Sequence, residues 1–167
     1  LPEIIQLVDK RRASIGLILG GSIALGEERP DSDLDLFAIA ESPAPPKLTR
    51  FKFISEKNGC TLSERKTRTF PIHFACWTDT SLDDLLDTRP YVAYPLLKGR
   101  IVLDRDGIAR RYRQRIQAYF ARHPVLTEAW EHQLLDFRRA KKSGQMEDLK
   151  YPQWGDFVAY LEEAFHE

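Results

Sequence analysis

Two short apolar runs set close together, SIGLILGG at 14–21 and DLDLFAIA at 33–40, limit the possible folds more than any other feature. The first is nearly unbroken and is halted by Gly20 and Gly21, so it reads as a strand buried on both faces. In the second, Asp33 and Asp35 alternate with Leu34 and Leu36. A strand repeats every two residues, which puts both carboxylates on one face and both leucines on the other. Between the runs, Ser22 to Glu28 suits a short helix, and Arg29, Pro30, Asp31 and Ser32 are turn formers that end it.

The flanking chain is read the same way. Pro2 fits a helical first turn, with Ile4, Leu7 and Val8 at helical spacing and a predicted end near Arg12. SPAPPK at 42–47 is a proline-rich loop, and Leu48 to Asn58 is expected to be a helix broken by Gly59. Cys60 to Arg65 alternates weakly. Arg68 to Trp77 is expected as a third strand, with Phe70, Ile72, Phe74 and Cys76 on one side and Pro71, His73, Ala75 and Trp77 on the other. Ser81 is expected to cap a short helix through Leu86. A second helix around Val92 to Leu97 ends at Gly99, and Arg100 to Asp104 makes an edge strand. Beyond Gly107 come three amphipathic stripes: Ile108, Tyr112, Ile116 and Tyr119; Leu126, Trp130, Leu134 and Phe137; Phe157, Leu161 and Phe165. They predict a helical cap over residues 105–167, packed on a sheet-bearing domain spanning 1–104.

Composition excludes several classes. With 43% hydrophobic and 30% charged residues, the chain is that of an ordinary globular protein rather than a disordered one. Its 25 basic residues balance 25 acidic ones, so no overall field draws it to a nucleic acid or an anionic membrane, and nucleic acid is an unexpected partner. The basic runs Arg110 to Arg115 and Arg138 to Lys142 read as solvated helix faces. Cys60 and Cys76 form no CxxC pair and are expected to be buried small hydrophobes. No apolar stretch approaches the roughly 20 residues that cross a bilayer, and LPEIIQLVDKRR lacks a signal-peptide layout, so the cytoplasm is the expected compartment. From the start at Leu1 rather than Met, a trimmed chain or a fragment is expected.

The chemistry concentrates in GGSIALGEERPDSDLDL. Two glycines after a buried strand let backbone N–H groups approach a polyphosphate, a helix N-terminus follows, and the Ser22 hydroxyl can donate to a phosphate oxygen. Two carboxylates side by side repel unless a cation lies between them, and hard oxygen donors suit Mg²⁺. Gly21 and Ser22 followed by Asp33 and Asp35, with Gly26, Arg29 and Ser32 between, resemble the glycine corner and acid pair of nucleotidyltransferases of the DNA polymerase β-like superfamily. The resemblance covers about the first quarter of the chain. It implies an α/β (α+β) fold with a mixed sheet flanked by helices, here with a C-terminal helical segment. It also implies a nucleoside triphosphate such as ATP as substrate and Mg²⁺ or Mn²⁺ as cofactor. Residue by residue, it implies Asp33 and Asp35 as metal ligands, and Gly21, Ser22 and Ser32 at the nucleotide. A weaker likeness, LLKGRIVLDRDG, is to antibiotic-modifying members and says little about substrate.

The pattern departs from the family at one position. Many active members carry a third carboxylate on a neighbouring strand, and FPIHFACW has His73 where that acid is expected. Imidazole is a poor Mg²⁺ ligand but can act as a general base near neutral pH or bind a softer metal. Glu64 and Asp79 are the acids considered as replacements. Two functions follow: a metal-dependent transferase acting on a hydroxyl of a small molecule or protein, with Asp33, Asp35 and His73 as catalytic residues, or a nucleotide- or partner-binding module of the same fold without turnover.

Overall fold

The computed structural model describes residues 2, 5–6, 15–27, 32–41, 51–57, 60–67, 70–152 and 154–165. Its strands are β1 (Ile15–Leu19), β2 (Leu34–Ala40), β3 (Lys52–Lys57), β4 (Cys60–Lys66), β5 (Pro71–Thr78) and β6 (Arg100–Asp104). They form one mixed sheet in the order β3-β4-β5-β2-β1-β6. β2 and β5 run parallel, and the other neighbours are antiparallel. The central strands carry the unbroken apolar runs because both of their faces are covered. Every residue of β1 is buried.

Alternation along the strands divides the core into two layers. Leu34, Leu36, Ala38, Ile72, Phe74 and Cys76 join Leu17 and Leu19 on one face, as the sequence predicts. Ile18 and Ile39 face the other way, into a cluster built with the C-terminal helices. Asp35 and His73 share the parity of Ile39 and Trp77, so they lie on the helix-bearing face of the sheet.

The helices are α1 (Gly21–Leu25), α2 (Asp79–Thr88), α3 (Tyr94–Lys98), α4 (Ile108–Arg122), α5 (Pro124–Ser143) and α6 (Trp154–Phe165). The three predicted stripes become α4, α5 and α6, in which Ile108, Tyr112, Ile116, Leu126, Trp130, Phe157 and Leu161 are buried. Trp130 stacks on Tyr94 with centroids 5.2 Å apart and meets Phe157 edge-on at 4.9 Å, which locks α3, α5 and α6 together. α4 crosses β1 at Gly16, where a Cβ would come within 2.7 Å of the Ala109 Cβ. The missing side chain allows the close approach.

Three expectations need correction. Leu48 to Asn58 was expected to be a helix, yet Lys52–Lys57 is β3, an edge strand paired with β4 and exposed from 52 to 56. No apolar stripe marks it because almost nothing covers it. The first helix of the middle segment, α2, is capped by Thr78 rather than Ser81: Ser81 N–H donates to Thr78 Oγ1 at 3.1 Å, Thr78 N–H donates to Ser81 Oγ at 2.9 Å, and the helix runs to Thr88. Cys76 is buried as expected, but Cys60 is only half-buried. Pro2, Ile5 and Gln6 are helical, while the predicted helix end near Arg12, the Arg29 to Asp31 turn and the 42–47 loop lie outside the described residues. Among the described residues no helix is long and apolar enough to cross a membrane.

Candidate active site

β1 delivers the chain to Gly20, whose N–H donates to the Asp35 carbonyl at 2.8 Å and so ties the corner to β2. Gly21 follows at φ +64°, in the left-handed region, and a Cβ there would be driven into the Asp35 carboxylate. Only glycine serves both needs. The glycine corner and the acid pair are therefore in contact, as the spacing implies. Ser22 Oγ donates to Ser32 Oγ at 3.0 Å, and Ser32 is buried, so these two hydroxyls brace the corner against the start of β2.

Asp33 immediately precedes β2, and Asp35 lies within it directly opposite His73 of β5. His73 Nδ1 is 3.3 Å from Asp33 Oδ2 and 3.4 Å from Asp35 Oδ1. One ligand atom from each of the three residues falls within 4.8 Å of the others, a spacing at which a single cation can bind all three. With both carboxylates ionised, oxygen can only accept, so Nδ1 is the donor in these contacts. Nε2 is then the atom free to accept one in the neutral ring. Burial, and then the nearby Asp33 charge, raise the Asp35 carboxyl above the ordinary aspartate range, while His73 and Lys141 pull it back down.

The two replacement acids separate cleanly. Glu64 stands opposite His73 in the β4–β5 ladder, on the same face. Asp79 begins α2 at the far end of β5, where its Oδ2 lies 3.9 Å from Arg111.

Residues 1–68 match the family model of the nucleotidyltransferase domain. The match takes in the glycine corner, both aspartates and β4, and it stops short of His73. The matched segment thus holds the glycine corner and the acid pair, while the remaining chain supplies the imidazole. A solved structure similar to the chain is a nucleotidyltransferase-like protein from Exiguobacterium sibiricum, at 12% identity and a TM-score of 0.48 over 88% of this chain. The chain spans 49% of that protein's length. No curated protein matches the chain.

Arg138, Arg139, Lys141 and Lys142 lie exposed on α5, as the sequence predicts, but sequence reasoning missed what they meet: Arg138 bridges Glu27 at 2.9 Å just after the glycine-corner helix, and Lys141 one turn on is close enough for its charge to act on Asp35. Helical periodicity groups residues three apart on one face but cannot say which distant carboxylates that face meets. In the other basic run Arg110 pairs with Asp104 nearby in sequence, and Arg115 reaches across to Asp83 and Asp87 of α2.

Proposed function

We propose that this chain transfers a nucleoside monophosphate from a nucleoside triphosphate, ATP among the candidates, to a hydroxyl acceptor with Mg²⁺ or Mn²⁺. The observation that carries this reading is the convergence of Asp33, Asp35 and His73 beside the Gly21 corner. Asp33 and Asp35 would hold the cation, and their hard oxygens fit it. The bound ion would neutralise phosphate charge and orient the α-phosphoryl group. Backbone N–H groups at Gly21 and the Ser22 hydroxyl would hold the terminal phosphates, the Ser22 proton turning from Ser32 to a phosphate oxygen and Ser32 donating to Ser22 in its place. The acceptor oxygen bonds to the α-phosphorus, the bond from that phosphorus to the bridging oxygen breaks, and pyrophosphate leaves. The acceptor proton passes to His73 Nε2. Residues 1–104 form the catalytic domain in this reading, with 105–167 as the cap packed on it. The core that Ile18 and Ile39 share with Tyr112 and Ile116 supports that arrangement.

Incubation with each labelled triphosphate and Mg²⁺ or Mn²⁺ tests the proposal. Pyrophosphate release that Asp33→Ala and Asp35→Ala both abolish is expected. Absence of release and of metal-dependent nucleotide binding across all four triphosphates would sink it. A second reading, a nucleotide- or partner-binding module without turnover, draws on His73 standing where an acid is expected. Calorimetry showing tight metal–nucleotide binding with no release of pyrophosphate would favour it.

A further inference from the structure

We infer that the acceptor subsite is the cavity lined by Asp35, Leu36, Phe37, Leu62, His73 and Ala75, and that it takes a single uncharged ring bearing a hydroxyl. The inference rests on the transfer reading of the same site. Register explains the cavity's character. Asp35, His73 and Glu64 form one row across β2, β5 and β4, and Phe37, Ala75 and Leu62 form the next. Two residues along a strand advance about 6.6–6.8 Å. An apolar floor therefore begins one row from the carboxylates, a distance that an aromatic ring bridges with its hydroxyl still at His73.

Size and charge narrow the occupant. The cavity holds about 210 Å³, and an apolar cavity of about 150 Å³ is known to hold benzene. One ring with a short hydroxyl-bearing arm fills that volume, and a multi-ring sugar would extend out of it into solvent. Asp33 and Glu64 stand with Asp35 and His73 at the polar end, and no carboxylate lies on the Phe37, Ala75 and Leu62 floor, so a polycationic or polyhydroxylated acceptor spread over that floor leaves its polar groups unpaired. Phe37, tilted against Trp77 at 6.1 Å between centroids, supplies an aromatic wall. The ring hydroxyl oxygen attacks the α-phosphorus, its proton goes to His73 Nε2, and pyrophosphate departs, leaving the nucleotide esterified to the ring's hydroxyl.

Methyl-resolved NMR with benzyl alcohol, glucose and a polycationic amino sugar such as neomycin tests the subsite without requiring turnover. Benzyl alcohol is expected to shift the Leu62 and Ala75 methyl resonances, and the two sugars to leave them in place. With labelled ATP and Mg²⁺, benzyl alcohol is expected to accept label with kcat/KM at least about tenfold above glucose. Ala75→Leu should raise its KM at least about tenfold while nucleotide affinity stays unchanged, and Leu62→Ala should admit 2-naphthalenemethanol. No methyl shift with benzyl alcohol, or equal use of glucose, overturns the inference. Transfer to glucose without methyl shifts leaves the transferase reading standing and removes this subsite. Methyl shifts without any nucleotide binding do the reverse.

Discussion

Asp35 is where the site's electrostatics become measurable. Its carboxyl is raised by burial and by Asp33, so the folded chain holds that proton more tightly than the unfolded one. Its contribution to stability is then fully present below the unfolded value and is lost as pH rises through the raised folded value. Above that raised value the ionised group opposes the metal-free fold, and a cation relieves it. Asp35→Asn is therefore expected to melt at or above the wild-type temperature at pH 7 without metal, and to lose the rise in Tm that Mg²⁺ or Mn²⁺ gives the wild type. A lower Tm with an intact metal response would contradict this. Metal affinity of the wild type should begin to fall, on acidification, above the ordinary aspartate range. Gly21→Ala tests the corner: placing a side chain at φ +64° costs about 1–2 kcal/mol, or roughly 2–8 °C in Tm at this chain size. The added Cβ also displaces the Asp35 carboxylate, so metal-dependent nucleotide binding should weaken as well. A variant that melts lower yet binds Mg²⁺–ATP normally would separate the corner from the site.

At the level of elements, legibility tracked burial. β1 was readable because both of its faces are covered, which forces an unbroken apolar run, and β2 because its Leu34 and Leu36 face is buried while the Asp35 face stays partly open, which gives the acid–leucine alternation. β3 was not, because Phe53 and Ile54 lie exposed among charged residues and leave no period to read. The usable signal was Asn58-Gly59 between two short runs, the dipeptide that most favours a tight hairpin connection. The acid pair and glycine corner were legible because neighbouring residues build them, and His73 because strand parity fixes its side. The end of α5 was not, since its meaning depends on a helix axis laid across the sheet by Trp130, Tyr94 and Phe157. Lys141 has a cation's influence at Asp35 from this position, and the negative end of the helix dipole favours positive charge there. Lys141→Glu is expected to weaken triphosphate affinity about three- to tenfold, more at low salt than at high, because an exposed charge is screened within about 10 Å at 0.1 M. Unchanged affinity at both salt concentrations would return Lys141 to the solvated face that the sequence suggested.

Over the whole molecule, the question is whether 1–104 and 105–167 fold as one unit. Their interface is a core rather than a surface: Ile18 and Ile39 of the sheet share a buried cluster with Tyr112, Ile116, Leu126, Trp130 and Phe157. Gly16 brings α4 onto β1 closely enough that a methyl group would collide with Ala109. Interiors packed in this way transmit a loss in one layer to the next. Trp130 is 1% exposed and far along the chain from the acid pair, so Trp130→Ala discriminates between one folding unit and two. Deleting a buried Trp costs about 3–5 kcal/mol. If the core is continuous, that loss appears in amide hydrogen exchange as lower protection in β1 and β2 as well as in α5, and heat unfolds the variant in a single transition. If the cap folds by itself, α5 protection falls alone, β1 and β2 keep theirs, and melting splits in two. The first outcome is expected, because β1 lends Ile18 to the helix-side cluster while Leu17 and Leu19 anchor the opposite layer. The strand that presents the glycine corner is thereby held from both sides, and the corner's geometry depends on helices that begin after residue 104.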